Sequence, residues 1–277
     1  MAVLLALAAA VGWGCSDFLG GLKARSLPLL TVLTVSIPSG FLVLGPILAA
    51  HGEGPPDAAS VGYGVLAGAT GLAGISALYR GLAVGAMGVV APISATAPLV
   101  PVSVGVGRGE RPSALQALGM TIALVGIVLA GREPNAKARG RLALGAGFGL
   151  LAAASFGLSL VAFDAAAEED PYLATLVVRL VACAVVLAVA LAARPALPRA
   201  RGSLFALVAV GLFDVSATTC FSVATTRGLL SVVAVLASLF PVVVVALARI
   251  VLGERLVPIQ LGGATAAVAG AALISAG

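Results

Sequence analysis

Long apolar runs, separated by short polar or charged breaks, cover almost the whole chain. A helix needs roughly 20 mostly apolar residues to cross a bilayer. Ten runs of this kind lie at residues 3–22, 28–50, 60–79, 88–107, 113–131, 142–163, 171–193, 203–223, 230–252 and 257–276. We therefore predict an all-α integral membrane protein with ten transmembrane helices and no soluble domain. The first run lacks the positive segment and the cleavage site of a signal peptide, so we interpret it as a membrane helix.

Composition supports the same class of protein. Hydrophobic residues make up 61% of the 277 residues, charged residues only 10%, and the mean hydropathy is +1.16. A soluble domain has about 25% charged residues with which to solvate its surface. The net charge of +5 does not indicate a nucleic-acid partner, because the basic residues lie between the apolar runs. No GxxxxGK[ST] phosphate loop occurs, which excludes ATP-driven transport by this chain alone.

Residues that bind metals or form disulfides are few and scattered. Cys15, Cys183 and Cys220 lie in three separate apolar runs without CxxC spacing, which favours buried thiols. The single histidine, His51, lies in a polar loop, where we expect it to be solvated. We therefore expect no metal site, no disulfide and no cofactor.

The second half of the chain repeats the first at an offset of 143 residues. The aligned pairs include Gly14 with Gly157, Ser16 with Ser159, Pro28 with Pro171, Gly68 with Gly211, and Pro98 with Pro241. After one inserted residue the offset is 144, and "GER" at 109–111 meets "GER" at 253–255. Each half has five spans, an odd number, so the second half must enter the membrane from the opposite side. We predict two inverted five-helix repeats, 1–135 and 136–277, an architecture typical of secondary transporters.

The fourth and fifth spans of each half carry a recurring motif. It consists of a proline in the middle of the fourth span, a Gly–Glu pair at its end and a glycine in the fifth. The matching residues are Pro98, Gly109–Glu110 and Gly119 in the first half, and Pro241, Gly253–Glu254 and Gly263 in the second. With Trp13–Gly14 in the first span, the chain resembles the EamA-type family of the drug/metabolite transporter superfamily. The resemblance covers essentially the whole chain and implies a ten-helix secondary carrier, without naming a substrate.

Three charged residues, Asp17, Arg179 and Asp214, lie deep within predicted spans. Charges in hydrocarbon are costly and are functional by default. A carboxyl group in a low-dielectric setting suits reversible protonation, so we expect Asp17 or Asp214 to couple transport to protons. Arg179 stays charged, and it suits pairing with an acid or clamping an anionic substrate. The alternative is an interhelical ion pair, above all of Arg179 with Asp214, that only holds the bundle together.

Helical spacing places further polar residues on the faces of these charges. Trp13 shares a face with Asp17, and Thr218 shares one with Asp214, although Trp13 as an interface anchor is an alternative. A proline inside a span frees a carbonyl, which needs another partner or a cavity, or else marks only a packing kink. We predict a midplane cavity between spans 1, 3, 4 and spans 6, 8, 9. The predicted substrate-binding or coupling residues are Trp13, Asp17, Ser94, Pro98, Arg179, Asp214, Thr218, Ser238 and Pro241.

Other charges lie at the ends of spans. We expect Glu110 and Glu254 to face the N-terminus of the next helix, in a structural or gating role. We expect four further charged residues to reach the membrane surface from span ends: Arg80, Asp164, Arg227 and Arg249. Twelve of the sixteen Lys and Arg residues lie in the odd-numbered loops and three on the opposite side. The positive-inside rule then predicts cytoplasmic odd-numbered loops and both termini outside, whereas the family is usually drawn with both termini inside.

These features predict a secondary active transporter of a small metabolite or drug-like solute that works by alternating access. We expect export, coupling to protons, a bacterial-type cell (inner) membrane and a monomer or homodimer. An enzyme is not expected, because a cluster of His, Asp or Cys at a membrane face is missing from the sequence. The alternatives are a membrane channel and a non-transporting membrane scaffold, but halves of opposite orientation favour alternating access over a static pore.

Overall fold

The fold was analysed in a computed structural model that describes residues 1–24, 26–52, 54, 57–84, 90, 93–130, 142–198, 200–252 and 257–277. Within these residues the chain forms eleven α-helices and no β-strand. They are α1 (Ala2–Ala24), α2 (Leu29–His51), α3 (Ala58–Val84), α4 (Leu99–Gly107), α5 (Ala114–Ala130), α6 (Leu142–Ala167), α7 (Pro171–Ala193), α8 (Arg201–Thr225), α9 (Leu230–Ala237), α10 (Phe240–Leu252) and α11 (Pro258–Ala276).

Eight segments of the described chain are long and apolar enough to cross a membrane. They are α1, α2, α3, α6, α7, α8, the consecutive helices α9 and α10 taken together, and α11. A shorter apolar helix, α5, corresponds to the fifth predicted span. Part of the fourth predicted span and the predicted repeat boundary at 135/136 lie outside the described residues. The chain is therefore an all-helical, multi-pass membrane protein, and the number of ten spans stays a prediction.

The ninth predicted span is two helices rather than one. α9 ends at Ala237, Ser238 and Leu239 form a turn, and α10 begins at Phe240. Pro241 occupies the second position of α10, where the first turn of a helix tolerates its missing N–H. Short-range bonds tighten this break, since the Val242 N–H donates to the Leu239 carbonyl over 2.9 Å. Pro241 therefore lies at the start of a new helix and not at a kink within one.

The first half has the same kind of break. Ser94 is the last helical residue before the turns at residues 95–98, and α4 begins directly after Pro98. The Ala97 N–H donates to the Ser94 carbonyl over 3.1 Å, again the short-range bond of a tightened turn. Both predicted proline sites therefore lie at interruptions of a helix, at corresponding positions of the two halves.

Contacts between helices recur in the two halves at the predicted offset. The Ser16 hydroxyl donates to the Val210 carbonyl over 3.1 Å, and the Ser159 hydroxyl donates to the Ala67 carbonyl over 2.7 Å. Adding 143 to Ser16 gives Ser159, and adding 143 to Ala67 gives Val210. The two halves thus make one and the same contact twice, each time from one half to the other.

The glycines of α5 and α11 reveal how the halves are related. A Cβ on Gly119 would lie 2.7 Å from the Gly270 carbonyl, and a Cβ on Gly126 would lie 2.6 Å from the Gly263 carbonyl. At the offset of 144, Gly119 corresponds to Gly263 and Gly126 to Gly270, so equivalent helices cross in opposite directions. A two-fold rotation perpendicular to the helix axes produces this arrangement. Small residues permit the close approach that holds helices together in lipid.

The ends of the helices define two faces of the bundle. At one, which we call the Lys23 face, Lys23 Nζ donates to the Ser203 hydroxyl over 3.4 Å. At the other, the Glu110 face, Glu110 lies at the start of α9 and Asp57 lies at the start of α3. The Ser60 N–H donates to the Asp57 carboxylate over 2.6 Å, and this bond holds the pKa of that carboxyl below its usual value. Asp57 is thus a charged N-cap of α3.

We predict that Gly126→Ala destabilises the bundle, because the added methyl group would meet the backbone of α11. Overpacking of this kind costs about 1–3 kcal/mol, and thermal unfolding in detergent measures it. Gly262→Ala is the control, since a Cβ at Gly262 of α11 meets nothing within 4 Å. Equal unfolding midpoints for the two variants would contradict the described crossing of α5 and α11.

Candidate functional site

Arg179 of α7 and Asp214 of α8 form an ion pair inside the bundle. Arg179 Nη1 pairs with Asp214 Oδ2, and Arg179 Nη2 lies 3.4 Å from Asp214 Oδ1. The relative solvent exposure is only 12% for the Arg179 side chain and 28% for the Asp214 side chain. The sequence neighbours Leu180 and Phe213, about 100° further round their helices, are apolar and exposed. The predicted pair therefore exists and faces the interior of the protein.

Thr218 completes the hydrogen bonding of this pair. Its hydroxyl donates to the Asp214 carbonyl one turn earlier, over 2.7 Å. The same oxygen accepts from Arg179 Nη2 and from Trp13 Nε1, the latter over 3.4 Å. A hydroxyl has one donor and two acceptor positions, so every hydrogen-bonding position of the Thr218 hydroxyl is occupied. It joins α1, α7 and α8 at one point.

Trp13 of α1 extends the cluster with an aromatic stack. Its ring centroid lies 5.6 Å from that of Phe221, and Phe221 stacks on Phe163 at 5.8 Å. Phe221 and Phe163 are buried, whereas Trp13 is only half-buried. Trp13 is therefore a half-buried interior residue, and not an anchor at the membrane interface.

Asp17 lies one turn beyond Trp13 and is exposed, although it does not point towards lipid. The lipid-facing stripe of α1 carries Leu4 and Val11, and Asp17 lies on the opposite side of the helix. Asp17 interacts electrostatically with Asp214 as a like charge. Within the described part of the chain, no residue donates a hydrogen bond to Asp17 or forms an ion pair with it. Asp17 is thus the uncompensated charge of the cluster.

Exposure along the interior side of α1 changes steadily from one face of the bundle to the other. Ala6 and Ala10, near the Glu110 face, are buried, Trp13 is half-buried, and Asp17 is exposed. Beyond it, a Cβ on Gly21 would meet nothing within 4 Å. Among the described residues, the interior side of α1 thus becomes more exposed towards the Lys23 face.

The Glu110 face is closed by α9. All eight residues of this helix are buried, none more than 6% exposed. Glu110 caps its N-terminus: the carboxylate accepts from the Leu230 N–H over 2.6 Å and from the Ser231 N–H over 3.1 Å. We had expected Glu110 to face the next helix in sequence, α5, and this was wrong, because its partner is α9 in the other half. Glu254, the corresponding residue, lies outside the described residues.

A second ion pair lies beside this Glu110 cap. Arg108 Nη1 lies 3.2 Å from Asp164 Oδ2 and joins the end of α4 to α6 in the other half. Asp164 is buried, so our expectation that it would reach the membrane surface was wrong. An arginine available just beyond the end of α4 explains why the acid remains inside. Two charged contacts thus tie α4 to the second half at the closed face.

The remaining predicted residues lie at the helix breaks. Ser238 is buried and ends α9, while Pro241 begins α10, and Ser94 and Pro98 flank the corresponding break of the first half. Pro98, Ser238 and Pro241 are not among the hydrogen-bond partners of the Arg179 cluster. The cluster itself comes from predicted spans 1, 7 and 8. Two apolar hollows of about 430 and 400 Å³ lie elsewhere, on α1, α10 and α11.

The polar cluster has no counterpart in the other half. At the offset of 143, the residues that correspond to Trp13, Asp17, Arg179, Asp214 and Thr218 are Phe156, Leu160, Ser36, Gly71 and Ile75. Symmetric packing therefore does not require these charges. Within the described residues, no group of three or more His, Cys, Asp or Glu side chains is positioned to hold a metal ion.

Comparison with known proteins agrees with the duplicated, small-residue fold. The EamA-like transporter family matches the chain twice, over residues 1–132 and 143–276. The chain belongs to the EamA-like transporter family. Small solutes and the lipid bilayer are accordingly its partners. No curated protein matches the sequence.

Solved structures extend the agreement on the fold of this EamA-like transporter. One crystal structure, described only as that of a protein, has a TM-score of 0.77 and 17% sequence identity. The similarity covers 97% of this chain and 98% of that one. At this identity the likeness concerns the fold alone.

We predict that Glu110→Gln loosens the closed face, because an amide cannot replace both charge-assisted bonds to the start of α9. In a cysteine-free background, a thiol at Ser231 should react slowly with a membrane-impermeant maleimide and much faster once Glu110→Gln is added. Glu168→Gln, an exposed acid on the same face, is the matched control. Unchanged labelling in Glu110→Gln would show that the Glu110 cap does not hold this face closed.

Proposed function

We propose that this EamA-like transporter is a secondary active carrier that exports a small metabolite or drug-like solute in exchange for protons. Ten spans in two inverted repeats, 1–135 and 136–277, would move the solute by alternating access. The observation that carries this proposal is the rise in exposure along the interior side of α1, from buried Ala6 and Ala10 to exposed Asp17. We infer from it that Asp17 faces a space that opens at the Lys23 face, while the buried α9 lies across the other side.

One-sided access favours a carrier over a channel or a scaffold. A channel needs a continuous path, whereas α9 and the Glu110 cap block the path in this state. A scaffold has no need of an uncompensated charge in the membrane, which is costly to keep there. The antiparallel crossing of α5 and α11 also supports inverted repeats, whose rocking about a central site produces alternating access.

The distribution of positive charge supports an orientation. Twelve Lys and Arg residues lie in the loops of the Lys23 face, so that face is proposed to be cytoplasmic. The described state would then load solute from the cytoplasm, as an exporter must, and both termini would lie outside. The proposed location is a bacterial-type inner membrane, with the protein as a monomer or homodimer and without enzymatic activity.

Proton coupling is proposed to reside at Asp17. In proteoliposomes with an imposed pH gradient, Asp17→Asn should abolish the acceleration of transport by the gradient, because the amide cannot exchange a proton. Transport would be measured with a panel of labelled small metabolites. Asp57→Asn is the control, since asparagine keeps the cap of α3 and lies outside the membrane. If Asp17→Asn responds to the gradient as the parent does, coupling rests on another residue.

A labelling experiment tests the proposed orientation. In a cysteine-free background, a cysteine at Ser203 on the Lys23 face should be protected from an impermeant maleimide added outside intact cells. A cysteine at Ser113, on the Glu110 face, should react. Labelling of Ser203 but not Ser113 would reverse the orientation and leave the carrier mechanism untouched.

A further inference from the structure

The inference that follows rests on the proposed function. It concerns the class of substrate that the charges of Asp17, Arg179 and Asp214 select. We propose that the site binds one positive charge at Asp17, either a proton or the cationic group of an organic ammonium solute. Trp13 then provides the apolar surface against which the solute lies. Because Arg179 neutralises Asp214, the site binds only one positive charge at a time. Cation and proton compete for one carboxylate, so their exchange is one for one.

The count of charges follows from the contacts. Asp214 is engaged at both oxygens by Arg179, so this pair carries no net charge. Asp17 has no such partner in the described chain and interacts with Asp214 only as a like charge. The cluster therefore retains one negative charge in the space that opens to the Lys23 face. A ligand with one positive charge neutralises it.

Apart from the thiol of Cys15, which lies two residues from Asp17 on α1, the described titratable groups on the helices packed against α1 leave this count unchanged. α2 carries only His51, at its far end, and α9 carries none. The single charge of α10, Arg249, is exposed, and Lys23 of α1 is bonded to Ser203 at the end of the helix. On α7 and α8, the ionisable residues near the membrane centre besides the pair are the thiols Cys183 and Cys220.

The guanidinium of Arg179 is nearly buried and already binds Asp214 and Thr218, which disfavours an anionic solute. Both Nη atoms of Arg179 are engaged by Asp214 and Thr218, and its Nε is buried without a hydrogen-bond partner among the described residues. Releasing Arg179 for an anion would leave Asp214 unpaired next to Asp17. Binding a cation at Asp17 requires no contact to be broken.

Besides the charge of Asp17, the ring of Trp13 determines which class of substrate fits. Trp13 is only half-buried, it lies one helical turn from Asp17, and its contacts with Thr218 and Phe221 hold the ring in place. A cation over an indole face is attracted by the ring quadrupole, most strongly when the site is shielded from water. A quaternary or substituted ammonium group with an apolar body satisfies both residues, whereas a small hydrated metal cation does not.

The test uses the purified full-length protein in nanodiscs and the fluorescence of Trp13, the only tryptophan of the chain. The probes share one aromatic body and differ in charge: benzyltrimethylammonium, 2-phenylethanol and 3-phenylpropionate. We expect only the cation to change Trp13 fluorescence. Its affinity should fall about tenfold per unit of decreasing pH where Asp17 is protonated, with about one proton released per bound cation. Asp17→Asn should weaken the affinity about tenfold or more and abolish proton release, whereas Asp57→Asn should change neither.

Arg179 provides the sharper comparison. Arg179→Gln leaves two uncompensated carboxylates, so proton release should rise towards two per cation. Arg179→Gln/Asp214→Asn removes both charges of the pair and should restore release to one. If Arg179→Gln does not fold, the double variant still decides the matter, because Asp17 alone must then bind the cation with one proton released.

Four results would overturn the inference: fluorescence changes with the anion or the alcohol instead of the cation, no change with the cation at any concentration, unaltered cation binding in Asp17→Asn, or unaltered proton release in Arg179→Gln. Transport measurements in vesicles distinguish a failure of this inference from a failure of the proposed carrier function. Uptake of solutes without positive charge would preserve the carrier and refute the inference. Cation binding with proton release but no transport of any solute would support the inference and refute the proposed carrier function.

Discussion

Close backbone contact at small residues is the constraint on which this fold depends. Lipid is as apolar as a leucine side chain, so helices in a bilayer gain little from burying Leu against Leu. Here the carbonyl of one helix repeatedly lies against a glycine of another, as at Ser36 and Gly211, or at Gly119 and Gly270. Any side chain larger than hydrogen would separate these helices. The positions of the charged residues follow from how closely α1, α2, α7 and α8 approach one another.

The bilayer interior offers no water as a hydrogen-bond partner, so the polar groups of the bundle form hydrogen bonds with one another. Arg179, Asp214, Thr218 and the indole N–H of Trp13 form a closed set in which the Thr218 hydroxyl uses all its positions. Truncating one partner of such a set costs more than the set contributes, because a charge remains unpaired. Asp17 stands outside the set, and among the described residues it has no hydrogen-bond or ion-pair partner, which is why we propose it as the coupling acid.

The periodic features of this fold could be predicted from the sequence. The offset of 143 aligned Ser16 with Ser159, and these residues make equivalent hydrogen bonds. Family membership likewise followed from the motif around Pro98 and Pro241, and the pairing of Arg179 with Asp214 was anticipated as an alternative. A helical period indicates which residues share a face, and a duplication indicates which contacts recur.

Contacts between distant segments were beyond such reasoning. Glu110 lies four residues before α5 but caps α9, which is 120 residues away, because the arrangement of helices in space decides which N-terminus is nearest. Asp164 remained inside for a similar reason: Arg108 reaches it from another helix. The division of span nine into α9 and α10 was also missed, since a proline in a sequence does not distinguish a kink from a break.

In the transport cycle proposed above, opening of the Glu110 face breaks the Glu110 cap, so the strength of this cap sets an energy scale. Hydrogen bonds to a charged group contribute about 1.5–3 kcal/mol each, so two of them amount to a few kcal/mol. A tenfold difference in proton concentration supplies about 1.4 kcal/mol. The cap thus has the magnitude that a modest gradient and the binding of solute can overcome together. A much stronger cap would trap the protein in one state, and a much weaker one would let protons leak through without any solute being moved.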